Sequence, residues 1–137
     1  MHWVLSLIDS ITLEIKVKVA INRCFGGFSI SNAAFEKLLE RKGVEYQKVP
    51  SKYKIRGDEY DYYQAGIQPS NDTYISDYEY YDNRSDADLI AVIEEMGESA
   101  NGWAAEIALV EIPEDVEWHI HEYDGLEHVA ENHRTWD

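Results

Sequence analysis

Histidines near the C-terminus are the residues of this sequence best suited to binding a metal. Four of the five histidines fall within fifteen residues, at His119, His121, His128 and His133. If the alternating stretch from Val116 to His121 is a strand and Asp124-Gly125 is a two-residue turn, His121 lies opposite His128 and shares its face with His119. Three imidazoles with acidic neighbours could hold zinc or another divalent ion, so the sequence predicts a metal site at His119, His121 and His128. The alternative is a solvent-facing polar side of an acidic region.

A glycine-containing loop near the N-terminus could bind an anion. Asn22, Arg23, Gly26 and Gly27 lie between a predicted strand and a helix capped by Ser31. The N–H groups at a helix start favour negative charge, glycine lets a ligand approach the backbone, and arginine can donate two hydrogen bonds to a phosphate. No Walker sequence or G-x-G-x-x-G accompanies the loop. These four residues therefore form a candidate nucleotide or phosphate site, and the alternative is a tight turn in which Arg23 pairs with an acidic side chain.

Catalysis has less support in the sequence than binding. Cys24 could act as a nucleophile beside Arg23 if folding brought a histidine to it. A single cysteine next to a strand end is more typical of a small buried hydrophobic residue. The carboxylates include no pair that stands out as acid and base. We therefore favour a non-catalytic protein without a cofactor, while the enzyme alternative stays open.

The net charge excludes several classes of partner. The chain has 137 residues, of which 27 are acidic and 12 are basic, and its formal net charge is −15. This charge argues against direct binding to nucleic acid or to an anionic membrane. No apolar run reaches the roughly 18–20 residues of a membrane span, and a single cysteine excludes an internal disulfide. The length is typical of one domain.

The charges are divided unevenly along the chain. Residues 1–56 carry ten basic and five acidic side chains, whereas residues 57–137 carry twenty-two acidic and two basic ones. If the two halves fold together, these charges can pair internally. If they do not, the acidic half is a candidate docking surface for a basic partner.

The segment 53–83 combines aromatic and acidic residues. It holds eight tyrosines, and the stretch from Gly57 to Asn83 holds seven acidic residues and no basic one. We interpret it as an inserted lobe, either an irregular loop or a hairpin with residues 70–72 near its tip. The residues predicted to bind a partner are Asp58, Glu59, Asp61, Tyr62, Tyr63, Asp77, Tyr78, Glu79, Tyr80, Tyr81 and Asp82.

The hydrophobic pattern predicts the elements that must position these groups. Strands are expected at 15–21, 44–49 and 103–112, the last in the centre of a sheet because it is apolar on both faces. Helices are expected from Ser31 to Lys42 and from Ser85 to Met96, with each serine as N-cap. Asp124-Gly125 predicts a β-hairpin, and the rival interpretation is a helix over 125–133.

Together these elements predict an α+β fold. We expect a single mostly antiparallel sheet with two packed helices and the acidic, tyrosine-rich insertion at 53–83. Residues 15–137 would form one domain. Residues 1–14 would form an apolar extension, interpreted as a short docking helix or a start-site extension rather than an export signal.

Five short stretches of the sequence carry a resemblance to a known family. They are Ala20–Ser29 (AINRCFGGFS), Glu94–Gly102 (EEMGESANG), and a C-terminal set comprising Glu111–Trp118 (EIPEDVEW), Glu122–Gly125 (EYDG) and His133–Trp136 (HRTW). On these residues the chain resembles a family of small uncharacterised proteins encoded by tailed bacteriophages and prophages. The likeness covers residues 16–52 and 84–137. It implies a phage accessory protein in the bacterial host cytoplasm, and it implies no catalytic residue or cofactor.

We therefore expect a non-catalytic binder that occupies a basic surface of a host protein, as defence inhibitors and nucleic-acid mimics do. A homo-oligomer is compatible with the sequence. The alternative is a small-ligand binding protein or a small enzyme, which would take a nucleotide or phosphate with the Gly26-Gly27 loop and the histidine hairpin.

Overall fold

The computed structural model describes residues 15–52 and 59–132. The docking helix predicted in residues 1–14 lies outside the described residues. So do Asp58 and residues 133–137. The strands are β1 (Lys16–Asn22), β2 (Tyr46–Pro50), β3 (Tyr60–Gln64), β4 (Tyr74–Ile75), β5 (Ile107–Pro113), β6 (Trp118–Tyr123) and β7 (Leu126–Glu131). The helices are α1 (Asn32–Arg41), the short α2 (Glu79–Asp82) and α3 (Ala87–Met96), and 3-10 turns occupy Asn71–Thr73 and Gly97–Ala100.

The two longer helices follow from their apolar stripes and their caps. The Ser31 hydroxyl accepts a hydrogen bond from the Ala34 N–H at 3.2 Å, which confirms the predicted cap of α1. The predicted cap of α3 is wrong, because Asp86 rather than Ser85 accepts from the Leu89 N–H, at 3.0 Å. Asp86 also forms an ion pair with Lys42 at the end of α1, so tertiary contact holds its carboxylate at the cap.

The fold is α+β with antiparallel strands, but the predicted single sheet is wrong. The strands form three small sheets: β1 with β5, β2–β3–β4, and the β6–β7 hairpin. At the second edge of β1, the Ala20 N–H donates to the Arg84 carbonyl at 2.9 Å, and the Asn22 N–H donates to the Glu127 carboxylate at 2.8 Å. The Arg84 carbonyl and the Glu127 carboxylate thus accept hydrogen bonds from β1 N–H groups that would otherwise bond to a neighbouring strand. For this reason β7 lies beside β1 without joining its sheet.

The strand predicted over 103–112 is shorter and does not occupy the centre of a sheet. It begins at Ile107, and within the described chain β1 is its only strand neighbour. The preceding residues turn sharply, with Ala104 at φ 58° and the Ala105 N–H bonded to the Gly102 carbonyl. Its apolar side chains are half-buried rather than fully buried. The continuous run of apolar residues in β5 therefore reflects a strand with one face packed against the core and the other face only partly covered.

The tyrosine-rich segment is built into the body of the protein. β3 is the middle strand of its sheet, and β4 pairs with it antiparallel after the turn at residues 71–73. Tyr62 and Tyr80 are 4% and 2% exposed and belong to the core formed with α1 and α3. Aromatic residues from this segment therefore supply hydrophobic area that the two helices bury. Among the described residues, no helix is both long and apolar enough to cross a membrane.

Candidate functional site: two clefts beside Tyr81

The β6–β7 hairpin positions the predicted metal ligands. Asp124 and Gly125 have φ values of 51° and 87°, the positive pair that a type I′ turn requires, and the predicted hairpin is confirmed. His121 is paired with His128, as the turn length predicted, whereas His119 faces Ala130. No group of three or more histidine, cysteine or acidic side chains that could hold a metal ion occurs among the residues described. His119 points its Nδ1 to Asn132 Oδ1, 2.5 Å away.

Asn22 organises the loop that the sequence predicts to bind an anion. The residue is fully buried, and its side-chain amide donates to the carbonyls of Cys24 and Gly125 at 2.8 and 2.7 Å. Its Oδ1 accepts from the Glu106 N–H at 2.8 Å and from the Cys24 thiol at 3.3 Å. These contacts tie β1, the start of β5 and the hairpin turn together. Asn22 is thus an internal connector, and the Arg23 side chain beside it is exposed.

Gly26 of this loop lies against the protein's own backbone. A Cβ built on Gly26 would lie 2.1 Å from the Ala104 carbonyl oxygen, and one built on Gly125 would lie 2.6 Å from Gly26 backbone atoms. Gly26 therefore allows the loop, the 102–106 turn and the hairpin to pack closely, whereas none of the ion pairs among the described residues includes Arg23.

We expect Gly26→Ala to lower the free energy of unfolding by about 1–3 kcal/mol, because backbone rather than a flexible side chain would have to move. Chemical denaturation of the variant measures the loss. The neighbouring Phe25→Ala is the control, since Phe25 is 66% exposed and its truncation should change stability little. Equal stabilities of the two variants would contradict the close-packing role of Gly26.

A buried ion pair lies under the same loop. The Arg84 guanidinium donates to both carboxylate oxygens of Glu127, at 2.8 and 3.0 Å, and the two side chains are 6% and 7% exposed. Arg84 also donates to the carbonyls of Tyr81 and Ala20, and its guanidinium carbon lies 3.7 Å from the centroid of the Phe28 ring. The pair therefore joins β1, the segment after α2, and the hairpin.

The first cleft, the loop–hairpin cleft, opens above this ion pair. It has a volume of about 570 Å³ and combines the glycine loop, the end of α2 and the inward face of the hairpin. Its walls are the backbone of Gly26 and Gly27 with Phe28, Tyr81, Asp82, Arg84, Trp118, His119, Ile120, Glu122, Gly125 and Glu127. Folding has brought the glycine loop and the histidine hairpin to one cavity, as the small-ligand alternative required.

The second cleft, the helix-start cleft, lies on the other side of Tyr81. Its volume is about 410 Å³, and it opens at the N-terminus of α1. Glu59 and Asp77 supply carboxylates, and Tyr60, Tyr81 and Trp103 supply aromatic rings. Burial raises the pKa of the Asp77 carboxyl above its ordinary value. The protein's own carboxylates thus lie near the positive end of the helix, which disfavours phosphate there.

No protein-family model matches this chain, and no curated protein or solved structure is significantly similar to it.

The charges of the two halves pair internally, as one of the two sequence alternatives anticipated. Most of the ion pairs join cations of the first half to acids of α3 or its cap. The full set of ion pairs among the described residues is Lys18–Glu94, Lys37–Glu95, Arg41–Asp88, Lys42–Asp86, Lys42–Asp88, Lys48–Glu36 and Arg84–Glu127. None of these pairs includes Glu59, Asp77, Asp82 or Glu122, so these four cleft carboxylates form no ion pair with a cation of the described residues, unlike Glu127.

The residues predicted to bind a partner are divided between core and surface. Tyr62 and Tyr80 are buried, and the Tyr62 hydroxyl donates to Glu36 at 2.8 Å, so neither side chain offers a contact surface. Glu59, Asp77, Tyr81 and Asp82 line the clefts. The others that the structure describes lie outside the two clefts: Asp61, Tyr63, Tyr78 and Glu79.

Sequence reasoning missed Arg84, Trp103, Trp118 and Glu122 as cleft residues. Arg84 did carry a usable signal, because it is one of only two basic residues after position 56. A single cation within an acidic half is a good candidate for a buried partner of a carboxylate. The two tryptophans carried no such signal, since tryptophan is as typical of a core as of a cleft wall.

Proposed function

We propose that this chain is a non-catalytic binding protein that holds a basic segment of a partner protein on the surface formed by the two clefts beside Tyr81. The observation that carries the proposal is the composition of these clefts: each combines carboxylates with aromatic rings, and Tyr81 is a wall of both. Carboxylates attract lysine and arginine side chains, and aromatic rings add cation–π contacts to them.

Charge distribution supports a basic partner over an anionic one. Four of the eight described cations of the first half pair with α3 or its cap, whereas Glu59, Asp77, Asp82 and Glu122 form no ion pair with a described cation. The one arginine among the described residues of the loop–hairpin cleft is neutralised by Glu127. A phosphate would therefore meet net negative charge in either cleft, and a cationic side chain would meet complementary charge.

The class of partner follows from the resemblance of the sequence to phage proteins. A phage accessory protein in the cytoplasm of its bacterial host would act by occupying a basic surface there, such as one that normally contacts nucleic acid. Under this proposal the protein is a defence inhibitor or a nucleic-acid mimic and needs no cofactor.

A second candidate is the binding of a small molecule in the loop–hairpin cleft. The volume of about 570 Å³ and the convergence of Gly26, Gly27 and the hairpin favour it. Asp82 and Glu122 make a cationic small molecule more suitable than a nucleotide or phosphate. Calorimetric titration with a panel of nucleotides, which are anionic, tests this preference. The nucleotides should give no heat.

Neutralising the four cleft carboxylates should weaken binding of a basic peptide by about tenfold or more, since several rim charges act together. The variant is Glu59→Gln, Asp77→Asn, Asp82→Asn and Glu122→Gln, and the probe is a twelve-residue peptide of alternating Arg-Gly and Lys-Gly units. The amide introduced by Glu122→Gln can still accept the hydrogen bond that the Glu122 carboxylate accepts from the Gly125 N–H. Fluorescence anisotropy measures affinity at low and at high salt, and added salt should weaken wild-type binding.

The matched control changes the same net charge elsewhere, by Asp72→Asn, Asp115→Asn, Glu98→Gln and Glu114→Gln, all at exposed positions. It should retain most of the affinity. If both variants bind the peptide equally well, or if the wild-type protein does not bind it, the proposed surface is wrong.

A further inference from the structure

Two imidazoles face each other on the outer side of the hairpin. His121 and His128 are register partners on β6 and β7, and both side chains are exposed. Their ring centroids are 4.8 Å apart, and the ring planes are inclined by 41°. The backbone of two hydrogen-bonded strands holds these two residues opposite each other before any ligand arrives.

The separation matches that of two imidazoles bound to one metal ion. A histidine nitrogen binds zinc at about 2.0–2.1 Å, which places the ring centroid about 3.2 Å from the ion. For nitrogen–metal–nitrogen angles between about 90° and 109°, two such centroids lie about 4.5–5.2 Å apart. The observed 4.8 Å falls inside this interval.

We propose that His121 and His128 chelate one divalent cation of the late first-row transition metals, for which Zn²⁺ is the probe. Imidazole is a ligand that zinc, nickel and copper ions accept well, whereas Mg²⁺ prefers oxygen. Two protein ligands leave the remaining coordination positions to water or to an external ligand. The acidic character of the chain raises the local concentration of cations around the site.

His119 is not a third ligand in this arrangement. Its Nδ1 contacts Asn132, and its strand partner is Ala130. By strand alternation, His119, Tyr123, Leu126 and Ala130 share the face of the pair, so no carboxylate of the hairpin strands lies beside it. Glu122 and Glu127 belong to the opposite face, which lines the loop–hairpin cleft. The metal site is therefore independent of the proposed peptide surface.

The test uses untagged full-length protein carrying His2→Ala and His133→Ala, which removes the histidines outside the described residues. Calorimetric titration with Zn²⁺ should give one ion per chain, and titration with Mg²⁺ should give no heat. His121→Ala and His128→Ala should each weaken Zn²⁺ binding by about 100-fold, because the second imidazole acts at high effective concentration. His119→Ala should change the affinity by no more than about twofold.

A localised readout accompanies the titration. The imidazole proton signals of His121 and His128 should shift together on adding Zn²⁺, while that of His119 stays in place. The proposal is overturned if the background protein binds no Zn²⁺ or if binding survives His121→Ala and His128→Ala. It is also overturned if His119→Ala costs as much as either.

Discussion

Replacing Arg84 with methionine should lower the free energy of unfolding by about 3–5 kcal/mol. Arg84 and Glu127 are almost completely buried and form a two-pronged ion pair. Methionine keeps most of the volume but leaves the Glu127 carboxylate without its counter-charge in a place that water reaches poorly. It also removes the donors to the Tyr81 and Ala20 carbonyls, so the hairpin and the segment after α2 each lose one of their links to β1.

Urea denaturation followed by tryptophan fluorescence measures this loss. The double variant Arg84→Met with Glu127→Leu should recover part of the stability, since no charge then remains buried. Recovery should be incomplete, because the Asn22 N–H also donates to Glu127. Lys37→Met is the surface control, as its ion pair with Glu95 is largely exposed and should matter little. An Arg84→Met variant as stable as Lys37→Met would show that the buried pair does not hold the fold together.

Replacing Asn22 with leucine should cost about 3 kcal/mol or more, because three backbone groups lose the partner that the amide supplies. These groups are the carbonyls of Cys24 and Gly125 and the N–H of Glu106, whereas leucine keeps the branching and the number of heavy atoms of the side chain. Each buried polar group left unsatisfied costs about 1–3 kcal/mol, with incomplete additivity where the groups can relax. The hairpin turn should also separate from the glycine loop, so the loop–hairpin cleft should lose its shape.

Hydrogen exchange at the Glu106 amide distinguishes this mechanism from a general loss of stability. The Glu106 N–H should exchange faster in Asn22→Leu than its global unfolding free energy predicts, because its acceptor is gone. Cys24→Ala is the control. It removes only the long thiol contacts to Asn22 and Ala104, at 3.3 and 3.2 Å, and should cost less than about 1 kcal/mol. Similar losses in both variants would contradict the connector role of Asn22.

Local features of this protein could be predicted from sequence because neighbouring residues determine them. An Asp-Gly pair suits the two positive φ angles of a type I′ turn, and the turn length then places His121 opposite His128. Ser31 could be identified as a cap because its side chain needs only the next turn of its own helix. The Ser85 prediction failed one residue away from the true cap, where Lys42 at the end of a distant helix favours Asp86.

The clefts depend on contacts that no local pattern encodes. Segment 59–82 carries the predicted acidic and aromatic character, but only packing decides that Tyr62 and Tyr80 enter the core while Asp77 and Tyr81 line the clefts. The hydrophobic period and the composition of a segment are the same whether a given tyrosine packs on a helix or faces solvent, so they do not show which tyrosines are buried.

The α+β class, the two longer helices and the excess of acidic charge could be predicted from the amino-acid sequence, and the hairpin with its histidine pairing was the favoured of two interpretations. The tertiary structure decided the division into three sheets, the pairing of Arg84 with Glu127, and the meeting of the glycine loop with the hairpin. The physical reason is the separation along the chain between the residues that interact. Turn and cap preferences act over a few residues, whereas Arg84 meets a carboxylate 43 positions away and Asn22 bonds to a carbonyl 103 positions away. Such contacts form only when the whole chain has packed, because buried polar groups must find partners wherever the fold supplies them.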